Sequence, residues 1–304
     1  MQPRRSESRA PRRPIGGHVP VAGGLAAVGV RYARSIGAEA LQVFVANPRG
    51  WATPPGVPAQ DEAFAAACAD EGLPAYVHAP YLINLGSHNA DTAARSVVSL
   101  RHSLRRAHAI GALGVVVHTG SATGGRPREV ALAQAGRLLR PLLDELDALD
   151  GRGGTGPVPR LLLEPTAGQG FSLCSLIADL GPYLAAVEHH PRVGVCLDTC
   201  HVFAAGHDLA APGGATAALD ELERVAGPGR LALVHANDSK AGVGSRLDRH
   251  ENVGAGAVGA DAFGALLRHP ATDGVPFVIE TPGGVEGHAA DIARLKALRG
   301  RPPG

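Results

Sequence analysis

The 304-residue chain has few cysteines, almost no net charge and no long apolar run, and each shortage removes a class of protein. Its four cysteines, Cys68, Cys174, Cys196 and Cys200, follow no paired metal-binding spacing and are too few to staple a chain of this length. They read as reduced thiols in a cytoplasmic protein. Lys plus Arg number 29 against 28 for Asp plus Glu. No global field therefore marks a nucleic-acid binder, and any such site has to be a local basic patch. No segment reaches the roughly 18 uninterrupted apolar residues that a membrane helix needs, so no membrane partner is expected.

The first dozen residues are rich in Arg, Ser and Pro and lack apolar periodicity, which predicts a disordered basic tail over residues 1–13. Arg12-Arg13 and the Gly/Ala-rich run to Val30 have the outline of a twin-arginine export signal. His18 interrupts that run and Gly23-Gly24 divides it, so it reads instead as a short strand followed by a helix.

From residue 14 to 300, apolar strand-like runs alternate with amphipathic stretches. The predicted strands are Ile15 to Val19, Ala40 to Val45, Ala75 to His78, Gly114 to His118, Arg160 to Glu164, Val193 to Asp198, Leu231 to His235 and Phe277 to Glu280. The predicted helices are Leu25 to Ser35, Ala59 to Asp70, Thr92 to Ala109, Glu129 to Leu146, Leu173 to Val187, Gly214 to Val225, Ala260 to Arg268 and His288 to Leu298. Eight strand–helix units predict a single α/β domain, a (β/α)8 TIM barrel. The Gly/Pro-rich insertion at 151–159 precedes a strand, which puts it on the face away from the chemistry.

What the chain does have is histidine, 14 in all, at telling positions. His78, His118, Glu164, Asp198, His235 and Glu280 lie at or beside the ends of predicted strands three to eight, and in such a barrel those ends converge on one mouth. His201 follows Asp198 by three residues. Asp248 and His250 alternate in a loop, so that both can point the same way in an extended segment. One strand-end histidine is an ordinary hydrogen-bonding group, but five histidines and four carboxylates around one cavity need a counter-ion. Imidazole and carboxylate suit a divalent metal of the zinc type, and nine ligands with one bridging carboxylate supply two or three ions. Lys240, Arg246 and Arg249 in the same loop point to a phosphate-bearing substrate.

These residues resemble the type 2 apurinic/apyrimidinic endonucleases, the endonuclease IV family, from about Gly16 to about Leu298. The most specific stretches are His-Ala-Pro-Tyr-Leu-Ile-Asn-Leu from His78, Gly-Val-Cys-Leu-Asp-Thr-Cys-His from Gly194 to His201, and Val234 through His250. Supporting matches are Gly17-His18-Val19, Ala167-Gly168-Gln169-Gly170 after Glu164, Ala204 to Leu209, and Glu280-Thr281-Pro282. The resemblance implies a barrel with three zinc ions, manganese being an alternative at some sites. It implies His78, His118 and Glu164 as ligands of the first metal, the bridging Glu164 with Asp198, His235 and Glu280 as ligands of the second, and His201, Asp248 and His250 as ligands of the third. It further implies a monomer that cleaves duplex DNA 5′ to abasic sites, leaving a 3′-hydroxyl and a 5′-deoxyribose phosphate, and that also trims blocked 3′ ends. A hydroxide beside Glu164 would attack, with the third metal steadying the phosphate. Arg49, Tyr81 and Leu82 are the residues the resemblance puts into the DNA stack, and the position of Tyr81 and Leu82 just after a strand suits a wedge.

The pattern has departures. Thr119 stands where the family usually has Pro, Pro165 where Asn or Thr is more usual, and Ala255 where some members carry Glu. Pro48 and Gly50 replace polar side chains around Arg49. None removes a candidate ligand. Two other readings are a sugar isomerase or epimerase of the related barrel class, which would use fewer metals, and a damage-binding protein with structural metals. Structural zinc sites are often sulphur-rich, and no candidate ligand here is Cys.

Overall fold

The structure, a computed structural model, describes residues 13–150 and 156–300. Eight parallel strands close into a barrel: Ile15–His18, Leu41–Phe44, Ala75–His78, Gly114–His118, Arg160–Glu164, Val193–Asp198, Leu231–His235 and Phe277–Ile279. Each pairs with its neighbours in sequence, and the first closes against the eighth through Gly16 opposite Val278. Most of the tail expected at 1–13 and most of the insertion expected at 151–159 lie outside the described residues.

Side chains two apart on a strand share a face, and this period sorts the barrel into layers. Ala40, Tyr76, Val116, Leu162, Cys196, Leu233 and Val278 form one buried apolar layer inside the barrel. Gly16 completes it on the first strand, where a Cβ would collide with the Ala40 carbonyl. The intervening residues, such as Val77, Val115, Leu161, Leu163 and Val195, belong to a separate apolar cluster with the buried helix residues. Two residues beyond the inner layer, toward the C-terminal ends, stand His18, Gln42, His78, His118, Glu164, Asp198, His235 and Glu280. Seven strands and the residue just past the eighth thus each contribute one polar side chain to a ring above an apolar floor.

Several elements differ from their predicted form. Leu25–Val30 is a wide π-helical turn that passes into the helix Arg31–Ser35, because Gly24 offers no side chain to cap the start and the Gly29 N–H reaches back to the Gly24 carbonyl. The helix expected from Leu173 to Val187 forms only as the turn Ile177–Asp179 and the helix Leu180–Ala186. Leu173 is held by the Gly120 carbonyl, and the Asp179 carboxylate takes the N–H groups of Ser175 and Leu176 at 3.0 and 2.9 Å, so the winding starts later. The eighth strand ends at Ile279, leaving Glu280 just beyond it. Among the described residues, no helix is long and apolar enough to cross a membrane.

Candidate metal centre

The strand-end residues meet as the barrel topology requires. Glu164, fully buried, lies at the centre: its Oε2 is 3.3 Å from Nε2 of both His78 and His118, and its Oε1 is 2.9 Å from His235 Nδ1 and 3.4 Å from His201 Nδ1. His235 Nδ1 also faces Glu280 Oε2 at 3.5 Å and Asp198 Oδ2 at 3.8 Å.

The other three residues arrive on two local devices that the sequence pattern does not foretell. Asp198 caps a short helix, Thr199–Ala205, by accepting the His201 N–H at 3.0 Å, and this turns the His201 ring back over the mouth. The loop after the seventh strand is pinned by a two-residue antiparallel pairing of Asp238–Ser239 with His250–Glu251. Its middle is tied down by Gly244 N–H to Phe203 O and Arg246 N–H to Ala204 O. Asp248 then stands 3.3 Å from His201 Nε2 and 3.2 Å from His250 Nε2, and His250 Nε2 is 3.6 Å from Asp198. All nine residues singled out by the sequence converge.

The imidazoles are held in defined tautomers from behind. His78 Nδ1 donates to the Ala79 carbonyl at 2.7 Å, His201 Nδ1 to the Pro165 carbonyl at 3.1 Å and His250 Nδ1 to the Glu280 carbonyl at 3.2 Å. Since a carbonyl can only accept, Nδ1 of each carries a hydrogen, and Nε2, turned toward the carboxylates, is the nitrogen that a metal would take in place of a proton. Pro165, one of the departures, keeps a backbone acceptor in place. Thr119, another, donates its hydroxyl to the Cys174 carbonyl at 3.1 Å, inside the core.

The electrostatics are those of a centre built around positive charge. Burial alone would raise the Glu164 carboxyl, yet His235 and His118 hold it well below its ordinary range. Burial alone would lower the imidazoles, yet Asp198 and Asp248 push His201 up to about 10 and His250 up to about 9. Without a cation the cluster is balanced by protons on its histidines. Even so, Glu164 Oε2 and His250 Nε2 are buried without a hydrogen-bond partner. Unpaired buried polar atoms are costly, and an imidazole nitrogen, once its proton is displaced, and a carboxylate oxygen are both ligands for a dication. His78, His118 and Glu164 present ligand atoms within 4.8 Å of one another, as do His201, Asp248 and His250. The donor set therefore fits a divalent metal.

Two thiols approach the same atoms. Cys196 groups with Glu164 and His235, and Cys200 with Asp198 and His250. Burial pushes both up to about 12, so they sit there as neutral thiols. His18 and Gln42, from the first two strands, were also missed as site residues. Gln42 Nε2 donates to Glu280 Oε1 at 2.7 Å, and His18 Nδ1 is 3.1 Å from the same oxygen. The signal that would have found them is the period of two along strands one and two.

The residues expected to enter DNA line the rim. Tyr81 and Leu82, just past the third strand, are 45% and 37% exposed, and the Tyr81 ring stands edge-on to Phe44 and His78. Arg49 is exposed in the loop after the second strand, and the neighbouring Pro48 carbonyl accepts the Tyr81 N–H at 2.9 Å, which joins the two loops. A cavity of about 580 Å³, lined by Tyr81, Leu82, His118, Thr166 and Gln169 among others, opens beside them. Of the basic loop residues, Arg249 donates to the Asp248 carbonyl at 2.9 Å, while Lys240 lies 3.9 Å from Glu251.

A parallel barrel with a histidine–carboxylate cluster at the C-terminal mouth of its strands defines a TIM-barrel protein with a candidate metal centre. Residues 30–298 match the family described as Xylose isomerase-like TIM barrel. The chain is 66% identical over 294 residues to the probable endonuclease 4 of Streptomyces coelicolor, a match that covers 97% of this chain and 98% of that protein. It superposes on the crystal structure of endonuclease IV from Thermus thermophilus with a TM-score of 0.79 at 34% identity, covering 94% of this chain and 98% of that one. A 3-keto-D-glucoside 4-epimerase from E. coli shares the fold alone, with a TM-score of 0.66 at 16% identity over 94% of this chain and 100% of that one. This chain belongs to the endonuclease IV family.

Proposed function

We propose that the protein is a DNA-repair endonuclease. It hydrolyses the phosphodiester 5′ to abasic sites in duplex DNA, leaving a 3′-hydroxyl and a 5′-deoxyribose phosphate, and it removes 3′-blocking groups. It works as a cytoplasmic monomer. His78, His118 and Glu164 would hold one zinc ion, Glu164 with Asp198, His235 and Glu280 a second, and His201, Asp248 and His250 a third, with manganese serving at some sites. The observation that carries this reading is the Glu164 oxygen that makes no hydrogen bond although it is buried between His78 and His118, while its partner oxygen meets His235 and His201 on the other side.

Zinc bound there would bring water to a reactive state near neutral pH and neutralise charge on the scissile phosphate. The chain's own residues do the rest. Glu164, kept ionised, orients the attacking water. Tyr81 and Leu82 fill the gap left by a displaced lesion, and Arg49 enters from the other side. Arg246 and Arg249 meet the flanking phosphates. The alternative, a sugar epimerase, leaves His201, Asp248 and His250 without a purpose, since that class uses fewer metals.

The test is a duplex oligonucleotide carrying a single abasic site, incubated with the protein as purified and after chelation, with metal content determined on the same sample. Cleavage 5′ to the lesion, abolished by chelation, is expected alongside about three metals per chain. Metal without cleavage would overturn the assignment and redirect it to sugar substrates.

A further inference from the structure

Among the ring histidines whose rear nitrogen has a partner, His235 is set differently. His78, His201 and His250 are oriented by backbone carbonyls that accept from Nδ1, leaving Nε2 toward the carboxylates. His235 turns Nδ1 inward instead, and its Nε2 lies 2.9 Å from the side-chain oxygen of Gln42.

The orientation of the Gln42 amide follows from its other contacts. Its Nε2 donates to Glu280 Oε1 at 2.7 Å, which leaves the amide carbonyl oxygen facing His235. An acceptor at that place requires the hydrogen of His235 to sit on Nε2. Nδ1 then faces Glu164, to which it hydrogen-bonds at 2.9 Å, and Glu280 and Asp198, and is the nitrogen through which a metal would be held. His18 shares the amide from the side, with Nδ1 2.9 Å from Gln42 Nε2. Gln42 is fully buried, as is His235, so neither contact is shared with bulk water.

We infer that Gln42 is a positioning residue that fixes the tautomer of His235 and the orientation of Glu280 together, and so sets how firmly the site formed by Glu164, Asp198, His235 and Glu280 holds its metal. The inference rests on the proposed metal assignment. One neutral amide from a strand that supplies no ligand joins two ligand strands, the seventh and the position just beyond the eighth. Its accepting and donating ends act on different residues, so they can be separated by substitution.

The experiment compares zinc-loaded wild type with Gln42→Met, which keeps the length and loses both hydrogen bonds, and Gln42→Glu, which keeps the acceptor and loses the donor. Zinc release to a chromogenic chelator is followed in time, and the His235 tautomer is read from long-range 1H–15N correlations. In Gln42→Met one zinc of the set is expected to leave about 10 to 100 times faster, with the Nε2–H signature of His235 lost. In Gln42→Glu that signature is expected to persist while release still accelerates, because a second carboxylate abuts Glu280. Release within about twofold of wild type in both variants, or an unchanged tautomer in Gln42→Met, would overturn the inference. Should Gln42→Met not fold, Gln42→Glu decides alone, a wild-type release rate overturning it. Wild type that binds no zinc would sink the metal assignment itself, a different result from a variant that behaves like wild type.

Discussion

His118 and Glu164 are register partners at the ends of neighbouring strands, and Nε2 of one stands 3.3 Å from Oε2 of the other. The same oxygen faces His78 at the same distance, and the opposite oxygen faces His235 and His201. Removing the charge of Glu164 while keeping its shape therefore strikes several histidines at once. Glu164→Gln is expected to lower abasic-site cleavage by at least about a hundredfold through lost metal and a misplaced water. Binding to abasic DNA should survive, because Tyr81, Leu82 and Arg49 are untouched. Single-turnover cleavage and a gel-shift titration on one preparation decide it, and full cleavage would remove Glu164 from the site.

Tyr81 invites the converse experiment. Its ring rests edge-on against Phe44 and His78, yet close to half of it is open to solvent. An aromatic face against a base is worth about 1 to 3 kcal/mol. Tyr81→Ala is expected to reduce the preference for abasic over intact duplex by about 5- to 100-fold while leaving metal content nearly unchanged, since the backbone carbonyl of Ala79 still orients His78. Equal preference in variant and wild type would place Tyr81 in a packing role only.

The contrast between these two residues shows where the sequence was readable. Glu164 and its five strand-end companions end apolar runs, and the barrel topology alone brings such ends together. His18 and Gln42 were legible by the same rule, but the inner-layer positions two residues before them are Gly16 and Ala40, too small to advertise an inward face, and neither residue closes its predicted strand. The devices that deliver His201, Asp248 and His250 were not legible. A seven-residue helix and a two-residue pairing are too brief to have a period, and they depend on contacts such as Arg246 N–H to Ala204 O that join separate segments. For Leu173 to Val187 the apolar spacing was right for a helix, and the competing hydrogen bonds of Asp179 decided otherwise.

The histidines also make metal binding a proton-releasing event. With no cation present, the neighbouring carboxylates raise His201 to about 10 and His250 to about 9 despite burial, so both carry protons at pH 7.5. A metal must displace them. Rebinding zinc to chelated protein at pH 7.5 is expected to release about two protons or more, and affinity should rise with pH up to about 10. Calorimetry in buffers of different ionisation enthalpy measures the count directly. No proton release would mean that zinc binds elsewhere.

Far from the mouth, Glu39 fastens the first strand to the C-terminal helix Gly284–Arg299. Its carboxylate accepts the Ile15 N–H at 3.1 Å and pairs with Arg299 at 2.5 Å and Lys296 at 3.5 Å. Burial would raise its pKa, but these partners outweigh burial and hold it at about 2, below the ordinary 4.5. A carboxyl lowered on folding stabilises the fold above its unfolded value, and that contribution drains away as pH falls from about 4.5 toward about 2. The group is partly open to solvent, so the contribution is modest, about 1 kcal/mol, or about 1 to 2 °C in melting temperature. Glu39→Gln should therefore unfold at lower urea than wild type at pH 7, with the gap closing near pH 2.5. Both proteins are compared after chelation, so that loss of metal in acid does not enter. A gap of the same size at both pH values would mean that shape, and not charge, is what Glu39 contributes.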